Sequence, residues 1–169
     1  GGTLTVSSST STPLGLDGDS GNGELEALNG DMVIEVALAD PFDDRVLVGS
    51  DQFIQFDEPW VLGGGGELRS SGPGAGTLAG AEATLQGDVV VRETLIVDAP
   101  VVLESTSEIS FQTGTPPTMI LNGPTTFRGP TFQPGGTISQ NGDLVVEATT
   151  SVVADLYDWD GAGTPSNTT

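Results

Sequence analysis

Apolar residues in this chain come in short bursts, and Gly, Asn, Asp or Pro closes most of them. The bursts include Val46 to Val48, Gln52 to Phe56, Thr94 to Val97, Val101 to Glu104, Glu108 to Phe111, Thr118 to Leu121 and Thr125 to Phe127. They recur at roughly seven to twelve residues, the spacing of an all-β architecture. Helices are not expected, because β-branched residues and 25 glycines both weigh against them. Each burst is read as a short strand and each break as a turn, with Gly supplying positive φ and Asp or Asn bonding its own backbone.

Two phrases repeat along the chain. Leu28-Asn29-Gly30-Asp31-Met32-Val33-Ile34 returns as Leu85-Gln86-Gly87-Asp88-Val89-Val90-Val91 and again as Gln140-Asn141-Gly142-Asp143-Leu144-Val145-Val146. The Gly-Asp pairs therefore lie 57 and then 55 residues apart. A double glycine followed by a polar and an aliphatic residue appears at Gly1-Gly2-Thr3-Leu4, Gly65-Gly66-Glu67-Leu68 and Gly135-Gly136-Thr137-Ile138. In the third copy the two phrases nearly touch. In the first two, Gly- and Ser-rich stretches from Ser7 to Gly23 and from Ser70 to Ala79 separate them, and these read as surface insertions. Constant phrases with variable spacers describe one repetitive β domain over 1–169, its phrases beginning near 28, 85 and 140.

Two all-β folds compete for this pattern. A parallel β-solenoid (β-helix) stacks coils so that each rung covers the next. A β-sandwich or jelly roll, the alternative, uses antiparallel hairpins with strict alternation. Val89-Val90-Val91 and Leu144-Val145-Val146 are continuous apolar runs, which favours strands covered on both faces and hence the solenoid. A period near 56 suits two or three coils. Hairpin dipeptides are few; among them are Asn29-Gly30, Asn122-Gly123 and Asn141-Gly142, two of which belong to the repeated phrase.

Charge narrows the function classes. Twenty-four carboxylates face four arginines, with no lysine and no histidine, for a net charge of −20. Nucleic acid and anionic membrane surfaces both need clustered cations, so neither is an expected partner. No apolar run approaches the roughly 20 residues that span a bilayer. Absence of His, Lys and Cys removes the Ser-His-Asp triad, the Schiff-base lysine, the P-loop and the usual zinc ligands. A carboxylate pair of the glycosidase kind is the one mechanism the composition permits. The expectation is that the chain is not an enzyme.

Calcium, a hard cation with oxygen ligands, is the metal this chemistry would take. Asp17, Asp19, Asn22 and Glu24 space ligands along the Gly-rich loop Asp17 to Glu24, without matching the EF-hand pattern. Asp155, Asp158 and Asp160 before Gly161 form a second cluster. Either cluster also reads as a solvated acidic turn. Trp60 and Trp159 read first as covers of an aliphatic core and second as sugar-stacking platforms. Ala39 to Arg45 reads as a turn with an internal charge pair, and Asn167-Thr168-Thr169 matches a glycosylation sequon.

Gly135-Gly136-Thr137-Ile138, then Asn141 to Val146, together with Ile120 to Phe127, resembles the degenerate repeats of large bacterial surface proteins. These are the autotransporter-passenger and filamentous-haemagglutinin-like parallel β-solenoids. Leu156 to Gly161 followed by Thr168-Thr169 is similar to a phrase of giant secreted bacterial repeat proteins. The resemblance implies an extracellular or cell-surface adhesin, stalk or matrix component, and it carries over no catalytic residues. It fits the opening at Gly1-Gly2 without Met or a signal-type segment, which is expected of a processed chain or a piece of a longer one.

A solenoid has two open ends whose backbone groups need partners. The chain opens on the strand phrase Gly2-Thr3-Leu4-Thr5-Val6 and closes on Asn167-Thr168-Thr169, with no helical cap written at either end. These residues are expected to meet copies of the same chain or flanking polypeptide, head to tail. Surface glycans are the second partner class considered.

Overall fold

The computed structural model describes residues 2–7, 23–38, 41–63, 65–112, 117–152, 156–159 and 166–167, with side chains up to residue 150. Strand β1 (Thr3–Val6) precedes a partial coil of β2 (Glu24–Ala27) and β3 (Asp31–Ile34). Three-strand coils follow in succession. The first is β4 (Arg45–Gly49), β5 (Phe53–Phe56) and β6 (Trp60–Leu62), and the second is β7 (Glu67–Ser71), β8 (Ala75–Gly80) and β9 (Ala83–Leu85). Next come β10 (Asp88–Val91), β11 (Thr94–Asp98) and β12 (Val101–Leu103), then β13 (Glu108–Phe111), β14 (Thr118–Leu121) and β15 (Thr125–Phe127). Then follow β16 (Thr131–Phe132), β17 (Thr137–Gln140) and β18 (Leu144–Val146), and last β19 (Ser151–Val152), β20 (Leu156–Trp159) and β21 (Ser166–Asn167).

Each coil gives one strand to each of three sheets. The sheets hold eight strands (β1-β3-β5-β8-β11-β14-β17-β20), seven (β19-β16-β13-β10-β7-β4-β2) and six (β21-β18-β15-β12-β9-β6). Every strand pairing among them is parallel. The chain is a parallel β-solenoid, with no helix among the described residues. Uniformly parallel pairing excludes the antiparallel sandwich.

The seven bursts read from the sequence coincide with β4, β5, β11, β12, β13, β14 and β15 to within a residue. Ser70 to Ala79 differs from expectation. It is the end of β7, a turn at 72–74 and most of β8, so Gly and Ser there serve a sheet instead of an insertion. The continuous apolar run buries all three of its residues in β10, but in β18 only Leu144 is buried. Strands such as β5, β7 and β14 alternate, with outward residues half covered by the coils above and below.

In-register pairing turns the inward residues into columns. One runs Leu4, Met32, Ile54, Leu78, Val97, Leu121 and Gln140 along the eight-stranded sheet. Another runs Leu62, Leu85, Leu103 and Phe127 along the six-stranded sheet. The seven-stranded sheet adds Leu25, Val46, Leu68, Val89, Ile109 and Phe132. These columns meet in a single apolar core.

The repeated phrases turn out to mark corners. Gly30-Asp31 leads into β3, Gly87-Asp88 into β10 and Gly142-Asp143 into β18, one in each sheet. The structural period is instead the coil: Glu67 pairs with Asp88 and Asp88 with Glu108, offsets of 21 and 20 residues. What the phrases share is a close approach. A Cβ on Gly30 would strike the carbonyl oxygen of Gly2, one on Gly87 that of Gly66, and one on Gly142 that of Gly123. In two of the three copies the partner is the second glycine of the double-glycine phrase. The two phrases therefore stack on each other.

Urea unfolding checks this core. Leu95→Ala, at a fully buried column site, is expected to lose about 2–5 kcal/mol. Gly142→Ala, which forces two coils apart, should lose about 1–3 kcal/mol by overpacking. Leu4→Ala, at the exposed end of its column, should stay within about 0.5 kcal/mol of the parent.

Candidate functional site

The calcium ligands expected from the sequence fall mostly outside the described residues: Asp17, Asp19, Asn22, Asp155 and Asp160 all do. Asp158 lies in β20, its backbone in register with Ser139. Glu24 opens β2, and its carboxylate lies 3.5 Å from the Arg45 guanidinium, so it has a cation partner already. Among the described residues no three acidic groups converge on one point.

The segment before β4 is built differently from the expected turn. Phe42 is buried in the core and bridges in parallel to Leu62. Asp44 is buried, and its Oδ1 accepts the Gly23 N–H at 2.9 Å. Arg45 pairs across coils, at 3.5 Å to Glu24 and 3.0 Å to Glu67, instead of within the segment. Register explains this, because Glu24, Arg45 and Glu67 are direct neighbours in the seven-stranded sheet.

The same device recurs at the corner leaving the six-stranded sheet. Arg128 lies 2.8 Å from both Glu104 and Glu147, which belong to the adjacent coils. Hydrogen bonds to Glu147 and then Glu104, with their negative charge, raise the Arg128 pKa above its ordinary value. Each arginine is thus sandwiched between two carboxylates one coil away on either side. Arg69 adds a second cation to Glu67 at 2.7 Å. Beyond Glu67 the column continues as Asp88 and Glu108, and Gln133 donates to Glu108 at 3.0 Å. Sequence reading missed these pairs because coil length varies, so the partners sit at no constant spacing.

Trp60 is 4 % exposed and stacks on Phe56 with ring centroids 4.4 Å apart. Its core reading holds, and it offers no platform for a sugar. The side chain of Trp159 lies outside the described residues, its backbone in β20.

The residues expected to assemble occupy sheet edges. Gly2 precedes β1, and Thr3, Leu4, Thr5 and Val6 form it, the first strand of the eight-stranded sheet. Asn167 ends β21, the terminal strand of the six-stranded sheet at the opposite end. Thr168 and Thr169 lie outside the described residues. At the β1 end a shallow groove of ≈ 270 Å³ is lined by Leu4, Leu28, Met32, Glu26, Asn29 and Asp31, among others. Leu4, 57 % exposed, and Leu28, 38 %, are the exposed large hydrophobic residues among those described. Leu4 heads a column whose later member Ile54 is fully buried. It faces inward, toward a coil that the described residues do not supply.

Compared with protein families, curated proteins and solved structures, the chain matches none.

Iodide quenching checks the Trp60 placement. In a Trp159→Phe chain, Trp60 emission is expected to be blue-shifted and nearly insensitive to iodide until urea unfolds the protein. Quenching like that of free tryptophan in the folded state would contradict the burial.

Proposed function

We propose that this chain is a structural building unit of a secreted or cell-surface appendage, stalk or matrix, extended head to tail through its solenoid ends. The observation that carries the reading is Leu4: the first residue of an inward column, yet 57 % exposed, on a strand whose outer edge is unpaired among the described residues. An open parallel edge templates another strand, and a coil laid on β1 would bury Leu4 and Leu28 together. Addition of one chain's last coil to the next chain's first is a heterologous contact, which propagates as a filament. The resemblance to autotransporter-passenger and filamentous-haemagglutinin-like solenoids supports the same reading. The role is non-catalytic. The carboxylate-rich surface keeps the unit soluble, and calcium bound at the two acidic clusters would lower repulsion between successive units.

Sedimentation velocity and electron microscopy at increasing concentration, with calcium present, test it. The parent chain is expected to form linear polymers, and Leu4→Glu, which puts a charge on the open core, should remain a monomer with unchanged circular dichroism. A parent chain that stays monomeric at the highest concentration would overturn self-assembly. Polymers unaffected by Leu4→Glu would place the contact elsewhere.

A further inference from the structure

Three of the chain's four Asn-Gly dipeptides lie wholly among the described residues (Asn22-Gly23 does not), and although chemically alike they are held differently by the fold. Asn141 is locked at each atom that a succinimide would use. Its Nδ2 donates to Asn122 Oδ1 at 2.8 Å, and its Oδ1 accepts from Ser139 Oγ at 3.3 Å. The N–H of Gly142, whose nitrogen would be the attacking atom, donates to the Leu121 carbonyl at 3.2 Å. Asn122 is held only in part: its Oδ1 is engaged by Asn141, while the N–H of Gly123 has no hydrogen-bond partner among the described residues. At Asn29, which is exposed, neither the side-chain amide nor the N–H of Gly30 has a partner among those residues.

From this contrast we infer that Asn29 is a site of spontaneous covalent modification, converting to aspartate and isoaspartate in the folded protein while Asn141 is protected. The Gly30 nitrogen bonds to Asn29 Cγ and gives up its proton. The Cγ–Nδ2 bond breaks and ammonia leaves. Water then opens the five-membered imide at either carbonyl, and no redox partner is needed. Water reaches this site because Asn29 is exposed and lines the groove beside β1. The product adds a carboxylate to a groove already holding Glu26 and Asp31. The isoaspartate form also adds a backbone carbon at the corner where Gly30 packs on Gly2, so it disturbs the pairing of β1.

Ageing the full chain in mildly alkaline buffer, followed by peptide mapping with isoaspartate detection, tests the assignment. Of these three, Asn29 is expected to convert first, Asn122 more slowly, and Asn141 roughly a hundredfold more slowly than Asn29, the order of effect when three hydrogen bonds must break together. In urea the three rates should converge, because the protection lies in the fold. Asn122→Ala, which removes the acceptor from Asn141, should accelerate conversion at Asn141. Equal rates at Asn29 and Asn141 in the folded chain would overturn the inference, as would an Asn29 that converts in urea but not in the native protein.

Discussion

Parallel strands one coil apart must sit at the sheet spacing of about 4.7–4.9 Å, and the rest of this structure follows from holding that distance around every corner. Within strands, backbone pairing sets it. At corners the chain has to turn while neighbouring coils stay equally close, and a side chain there occupies the space the next coil needs. Gly30 over Gly2, Gly87 over Gly66 and Gly142 over Gly123 meet that demand by removing the Cβ. Hydrogen bonds continue through such corners: the N–H of Asn122 reaches Val97 and that of Asn141 reaches Leu121, both at 2.9 Å. The stack is therefore bonded through turns as well as strands.

That constraint also explains what could be read in advance. Strands such as β13, β14 and β15 were legible to the residue because a β-branched or aliphatic burst closed by a turn is a local signal. The coil period was hidden. Arg45 pairs with Glu67 while Glu104 faces Arg128, so the sequence offset changes with the length of each corner. The repeated phrases misled on period because they solve one local problem, close backbone approach, at whichever corner it arises. Their 57- and 55-residue spacing was real, but it spans corners of different sheets. Trp60 was legible only as an alternative between core and surface, since local sequence does not say that Phe56 lies beside it. The candidate site was partly legible: the strand phrase at Gly2 to Val6 did form a sheet edge, but the groove depends on Leu28 and Met32 arriving from the next coil.

The same register governs how a chain of charge −20 tolerates stacking. Identical positions on adjacent coils become direct neighbours, so a carboxylate repeated in register meets its own kind, an unfavourable pairing. Arg45 and Arg128 each interrupt such a run, with a glutamate on either side. These pairs are surface interactions and individually weak. Their use here is local neutralisation, which lets acidic residues occupy successive coils. The outer face of the eight-stranded sheet avoids the problem differently: between β8 and β17 one outward column reads Thr77, Ile96, Ile120 and Ser139, with no charge in it.

A stack of coils has an interior in which every coil is alike in having two neighbours, so its terminal coils are the places that differ. The exposed large hydrophobic residues among those described, Leu4 and Leu28, sit at one such end. Leu4 contributes to no enclosed core as it stands, yet it continues an unbroken inward column through Met32 to Ile54. A residue of that kind is what a repeating unit needs at a junction: buried when the next coil is present, and tolerable to solvent when it is absent. Its geometry, more than any ionisable group, is what the assembly proposal rests on.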